Sequence, residues 1–116
     1  MATILRNTVI KNCGTVPVLI YETAPTTRVT ILGLSFTNLT DQFIYCDVII
    51  EDDTSVAGYY LKDSILPAGT SLRAVSTGEK LVLAPSNRLL VRSSIDDSVD
   101  VIVSYEEIHN DILYRN

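Results

Sequence analysis

Ile65-Leu66-Pro67-Ala68-Gly69-Thr70-Ser71-Leu72 and Leu83-Ala84-Pro85-Ser86-Asn87-Arg88-Leu89-Leu90 carry the same punctuation twice, with a leucine five places after the proline in each. Proline fixes φ and offers no amide hydrogen, which suits a strand end. Gly69 and Asn87, each two places on, tolerate the left-handed backbone that reverses a chain. Each turn is expected to hand one strand to the next. Downstream, Ser98-Val99-Asp100-Val101-Ile102-Val103-Ser104-Tyr105-Glu106 alternates apolar and polar residues, the pattern of a strand with one buried face. Val99, Val101, Val103 and Tyr105 are expected to point inward.

Working outward from these turns, the rest of the chain reads as more strands. Thr3 to Asn12 is rich in β-branched residues and stops at Cys13-Gly14-Thr15, and Val16 to Glu22 follows with Pro17 near its start. Arg28 to Asn38 is the clearest early strand: strict alternation puts Leu32, Leu34 and Phe36 on the core face and Val29, Ile31, Gly33, Ser35 and Thr37 on the other. Phe43 to Asp52 places Ile44, Cys46, Val48 and Ile50 against Phe43, Tyr45, Asp47, Ile49 and Glu51. Tyr59 to Ile65, Leu72 to Val75, Lys80 to Leu83 and Arg88 to Ser93 complete the set before the closing strand. About nine strands at spacings near 8 to 12 residues, with no helical period before residue 107, predict an all-β fold: a single antiparallel β-sandwich or jelly roll over 1–108. Residues 109–116 form a polar tail or arm whose apolar cluster is Ile112, Leu113 and Tyr114.

Composition narrows the function classes. A chain of 116 residues with 47% apolar residues can bury a core of its own. Nine Lys and Arg against fourteen Asp and Glu give a net charge of −5, and no basic cluster is present to neutralise a run of phosphates, so nucleic acid is not an expected partner. No apolar run approaches the roughly 20 residues of a membrane helix, so no membrane is expected either. The start Met1-Ala2-Thr3-Ile4-Leu5-Arg6-Asn7 lacks the pattern of a secretory signal, and folding in a cytoplasm is expected. Cys13 and Cys46 are too few for a disulfide scaffold and too far apart for a metal-binding pair; Cys46 shares parity with Val48 and Ile50 and reads as core.

Candidate chemistry is sparse. Glu51-Asp52-Asp53 and Asp96-Asp97 match no calcium-loop spacing and read as solvated turns, so no metal and no cofactor is expected. His109 stands apart from any nucleophile motif, and Asn38-Leu39-Thr40 fits a glycosylation acceptor only in a secreted chain. Without a phosphate loop, paired acid and base or activated nucleophile, the chain is not expected to be an enzyme. Apolar residues on a solvent-facing parity do stand out: Val29, Ile31, Phe43, Tyr45, Ile49 and Tyr60, with Ile112, Leu113 and Tyr114 of the tail, are the candidate protein interface. Scattered surface apolar residues are the competing reading. An outward Tyr60 near Tyr45, with Tyr59 and the acidic loops, suits a carbohydrate-binding module for host surface glycans as the alternative function.

The succession Thr8-Val9-Ile10-Lys11-Asn12, Thr30-Ile31-Leu32-Gly33-Leu34, Tyr59-Tyr60-Leu61-Lys62, Leu66-Pro67-Ala68-Gly69-Thr70-Ser71-Leu72, Gly78-Glu79-Lys80-Leu81-Val82-Leu83 and Ser98-Val99-Asp100-Val101-Ile102-Val103-Ser104-Tyr105 resembles small virion structural proteins of tailed bacteriophages, including those of cyanobacterial phages. The resemblance covers roughly Thr3 to Ile108 and rests on scaffold residues. It implies a non-enzymatic β-sandwich on a phage particle, made in the host cytoplasm. Such a protein either decorates and cements the capsid or serves as a neck or tail attachment module. With the apolar sheet faces above, a homo-oligomer, with a trimer favoured, that binds other virion proteins is expected.

Overall fold

The computed structural model describes residues 2–75 and 80–109. Among them are nine strands and no helix: β1 (Ala2–Cys13), β2 (Val18–Glu22), β3 (Thr27–Asn38), β4 (Ile44–Glu51), β5 (Ala57–Leu66), β6 (Ser71–Val75), β7 (Leu81–Leu83), β8 (Arg88–Ser93) and β9 (Val99–His109). They form two antiparallel sheets. One is ordered β1-β9-β3-β6 with β7 also on β3, and the other is ordered β2-β8-β4-β5. The inner faces close on each other around Val29, Ile31, Leu34, Phe36, Ile44, Cys46, Val48, Leu89, Val91, Val101 and Val103, all buried. The all-β sandwich expected from the alternation is the fold of the chain, and Val99, Val101, Val103 and Tyr105 point inward as read.

The proline turns do more than reverse the chain. Both carry it from one sheet to the other, β5 to β6 and β7 to β8. They also differ from one another. In the first, Pro67 is the opening residue, its carbonyl accepts from Thr70 N–H at 3.2 Å, and Gly69 takes φ 65. In the second, Ala84 opens the turn, Pro85 is one place further in, and Ser86, not Asn87, takes φ 63. The left-handed position is the third of four in both turns, so moving proline by one place moves the strained residue with it. Thr23 holds the second turn from outside, its hydroxyl donating to Ala84 O at 2.6 Å and accepting from Asn87 N–H at 2.7 Å.

Strand β3 departs from strict alternation. Along its pairing with β9, Ile31 lies opposite Tyr105 and Gly33 opposite Ser104, so Leu32 is an extra residue. Such a bulge flips the parity of everything beyond it. Val29 and Ile31 therefore point inward before the bulge, and Leu34 and Phe36 after it. Val29 and Ile31, expected on an exposed interface face, are 0% exposed core residues, whereas Leu32 is only half-buried. Asn38 ends the strand as a buried hub: its side-chain N–H groups donate to Gln42 O, Leu66 O and Pro67 O at 2.9 to 3.1 Å. Its Oδ1 accepts from Thr40 N–H at 2.8 Å.

This parity has a measurable consequence. Ile31→Ala is expected to cost about 2–5 kcal/mol in chemical denaturation, as for other core truncations. Leu32→Ala should cost less than half of that. Strict alternation requires the opposite order, so a costlier Leu32→Ala would refute the bulge.

Candidate interaction surfaces

The outer face of the four-stranded sheet is built in rows, because strand register aligns like residues across it. Leu19 of β2 lies opposite Leu90 of β8, Leu90 opposite Ile49 of β4, and Ile49 opposite Tyr59 of β5, an apolar row that crosses every strand. Leu19 is 38% and Tyr59 54% exposed. On one side of this row Arg88 pairs in register with both Glu22 and Glu51, its Nη1 donating to Glu51 Oε1 at 2.7 Å. On the other side Arg92 lies opposite Asp47. Asp47 is buried, and its carboxylate accepts from Arg92 Nη1 and, at 2.7 Å, from the backbone N–H of Asp63. Beyond that pair Tyr45 lies opposite Ile65, with the Phe43 ring edge-on to Tyr45 at 5.8 Å.

Of the residues expected at an interface, Phe43, Tyr45 and Ile49 lie on this face, and Phe43 and Tyr45 are exposed. Tyr60 does not: it packs against the core, and Tyr59 takes the outward position. The cause is the irregular pairing of β5, which slips between Val48 and Ile49 of β4 and again around Asp63, at φ 49. Tyr45 and Tyr59 stand four residues apart along the sheet, about 13 Å, so the three tyrosines of the glycan reading do not converge. Ile112, Leu113 and Tyr114 lie outside the described residues. Leu19, Leu90, Ile65 and Tyr59 complete the face, and no single-strand pattern marks them, since the row exists only once the strands are in register.

A second surface is the free side of β1. Among the described residues this strand pairs with β9 alone, and it runs twelve residues without proline. Its register is regular from Ala2 to Ile10, and Leu5 and Val9 are 69% and 54% exposed. Its charges, Arg6 and Lys11, are both positive. Other edges are blunted: β2 is five residues long and follows Pro17, and β5 is bulged at Asp63.

Inside the sandwich, polar groups are held in fixed states. Glu107, on the inward row of β9, accepts from Tyr21 Oη and from Arg6 Nε at 2.9 Å, and His109 Nε2 stands 3.5 Å from it. Burial works to raise the Glu107 carboxyl, but the bonds from Tyr21 and Arg6 outweigh it and hold it below the usual range. Burial, and then the bond to Glu107, holds Tyr21 protonated well above the ordinary tyrosine range. Both cysteines are free and buried, and burial pushes the Cys46 thiol up to about 12. The acidic loops are spent on turns, Asp52 accepting from Thr54 N–H and Val56 N–H and Asp96 from Thr15 N–H, at 2.9 to 3.0 Å.

No family model and no curated protein matches this chain. Solved structures do match its fold. The VP2 subviral particle of infectious bursal disease virus aligns with TM-score 0.56 and 15% identity over 95% of this chain and 32% of that one. A chain of the IBDV viral particle aligns with TM-score 0.55 and 14% identity over 94% and 32%. A subunit of the disulfide-linked pili that form Bacillus endospore appendages aligns with TM-score 0.55 and 5% identity over 92% and 88%. The chain thus spans about a third of the length of the viral chains it matches. At these identities the likeness is one of fold: a β-sandwich shared with proteins of viral particles and of a spore appendage.

The Glu107 cluster sets an acid limb of stability. Because its folded pKa lies below the unfolded value of about 4.3, the stabilisation is present above that value and is lost as pH falls through the folded one. Glu107→Gln is therefore expected to flatten the decline of denaturation midpoint between about pH 5 and 3. The Asp52 and Asp96 carboxyls, also lowered by hydrogen bonds, act in the same direction. An acid limb unchanged by Glu107→Gln would contradict the assignment.

Proposed function

We propose that this chain is a non-enzymatic structural component of a tailed-phage virion, assembling with copies of itself and with other particle proteins. On the particle it serves as a capsid decoration or cement protein, or as a neck or tail attachment module. The observation that carries the reading is β1, an edge whose register runs unbroken from Ala2 to Ile10, on a sandwich whose opposite sheet shows an apolar row to solvent. A chain that stays alone in solution shortens, bulges or charges such an edge. Here the edge offers backbone amides and carbonyls to an added strand, and Leu5 and Val9 offer side-chain contacts on one face. The match in fold to proteins of viral particles agrees with this reading, and so does the resemblance of the strand motifs to phage virion proteins. The domain comprises 1–108, with 109–116 as an arm to a neighbour; His109, its first residue, is the last of β9.

The test is incorporation. Virions purified from producing cells are expected to contain the protein in fixed ratio to the major particle protein by quantitative mass spectrometry. A Leu5→Lys/Val9→Lys variant, and a separate deletion of residues 112–116, should fold with unchanged circular dichroism and be depleted in particles at least about tenfold, a loss of ~1.4 kcal/mol of binding. Absence of the unaltered protein from virions would overturn the proposal.

A further inference from the structure

The register of the four-stranded sheet also specifies which partner its outer face fits. We infer that two copies of this chain pack face to face through that sheet, about a two-fold axis parallel to the strands and passing between β8 and β4. This inference rests on the assembly reading above and names the partner as a second copy.

The argument is one of self-complementarity. Sheets that pack face to face lie about 10 Å apart with strands roughly aligned. An isologous interface must present to its own copy a surface that fits itself. On the two central strands the register pairs are Arg92 with Asp47, Leu90 with Ile49 and Arg88 with Glu51. Both arginines are on β8 and both carboxylates on β4. An axis between these strands lays β8 of one copy over β4 of the other at the same level. Arg88 then faces the partner's Glu51, while Asp47 lies buried under its own Arg92, whose guanidinium faces the partner at that level. Leu90 faces the partner's Ile49, and Leu19 faces the partner's Tyr59. The Arg88–Glu51 pair becomes a four-charge array with opposite signs both beside and across, and beside it the apolar row closes on itself.

The alternative axis, along the row, would set Arg92 over the partner's Arg88, which costs rather than gains. Charge thus selects one axis. The expected assembly contains an even number of copies, in place of the trimer expected from the sequence.

The test uses the full chain in solution. Native mass spectrometry and light scattering should give twice the 12.8 kDa chain mass. Leu90→Glu and Ile49→Lys each place an unpaired charge against an apolar side chain of the partner and should each weaken the dimer at least about tenfold, leaving monomers. Mixing the two variants, one labelled with 15N, should restore a dimer containing one of each, because position 90 of one copy then meets position 49 of the other with opposite charge. Tyr59→Lys, at an exposed position, gives an independent disruption if either variant fails to fold. A monomer at concentrations up to about 0.1 mM, a trimer, single variants that remain dimeric, or a mixture that does not recombine would overturn the axis. Any of these results with the protein present in virions would overturn the axis and leave the particle reading standing. A recombining dimer absent from virions would do the reverse.

Discussion

The extra residue at Leu32 is the constraint on which the sandwich depends. Strand β3 pairs with β9 along one side and with β6 and β7 along the other, so it is the strand that every other member of its sheet is built upon directly or through β9. A regular strand twelve residues long would carry its inward row straight on, and Val29 and Ile31 could not share the core with Leu34 and Phe36. By setting Leu32 and Gly33 against Ser104, the strand turns over once and keeps an inward apolar side chain before and after. The two short strands on its other side reflect the same break: β7 pairs with Val29 to Ile31, and β6 with Leu34 to Thr37.

This also marks how much of the fold was legible. Strand identity is a local property of β-branched and alternating residues, and the nine strands and the inward row Val99, Val101, Val103 and Tyr105 follow from it. Bulges are not local. Nothing in Thr30-Ile31-Leu32-Gly33-Leu34 marks the slip except an internal glycine, a residue that weakens a strand and accompanies bulges. The same gap explains the tyrosines: strict alternation gives Tyr59 and Tyr60 one face each but not which, and the slips of β5 against β4 decide that Tyr59 faces out. The row Leu19, Leu90, Ile49 and Tyr59 was beyond reach for a different reason. Its members lie on four strands, and each alone is an ordinary surface residue.

Buried polar residues, whether between the sheets or on an outer face, obey a different constraint. Asp47 and Glu107 both lie where a carboxylate would be costly without partners, and each has a basic residue from the neighbouring strand with a further donor. Asp47 takes Arg92 and the Asp63 N–H, which ties the bulge of β5 to β8 across β4. Glu107 takes Arg6 and Tyr21, joining β1, β9 and β2. These pairs do little that an apolar substitute could not do for stability alone, but they admit one register. A one-residue slip of β4 on β8 would strand Asp47 without its arginine, and a slip of β1 on β9 would do the same to Glu107.

The two surfaces of the molecule have opposite symmetry requirements, and that difference bears on assembly. The outer face of β2-β8-β4-β5 is matched to itself, so in the proposed dimer it closes and grows no further. Strand β1 is not matched to itself: its charges, Arg6 and Lys11, are both positive, and an antiparallel copy would bring a second basic strand alongside. If both surfaces were two-fold about axes that do not intersect, alternating contacts would propagate into open chains, since closed assemblies need symmetry operators that combine to a point group. A closing face and a basic edge that prefers an acidic or neutral strand from another protein avoid this. In the proposed assembly the molecule would pair once with its own kind and then add to a larger surface through β1, a division of contacts that suits a component attached to a particle.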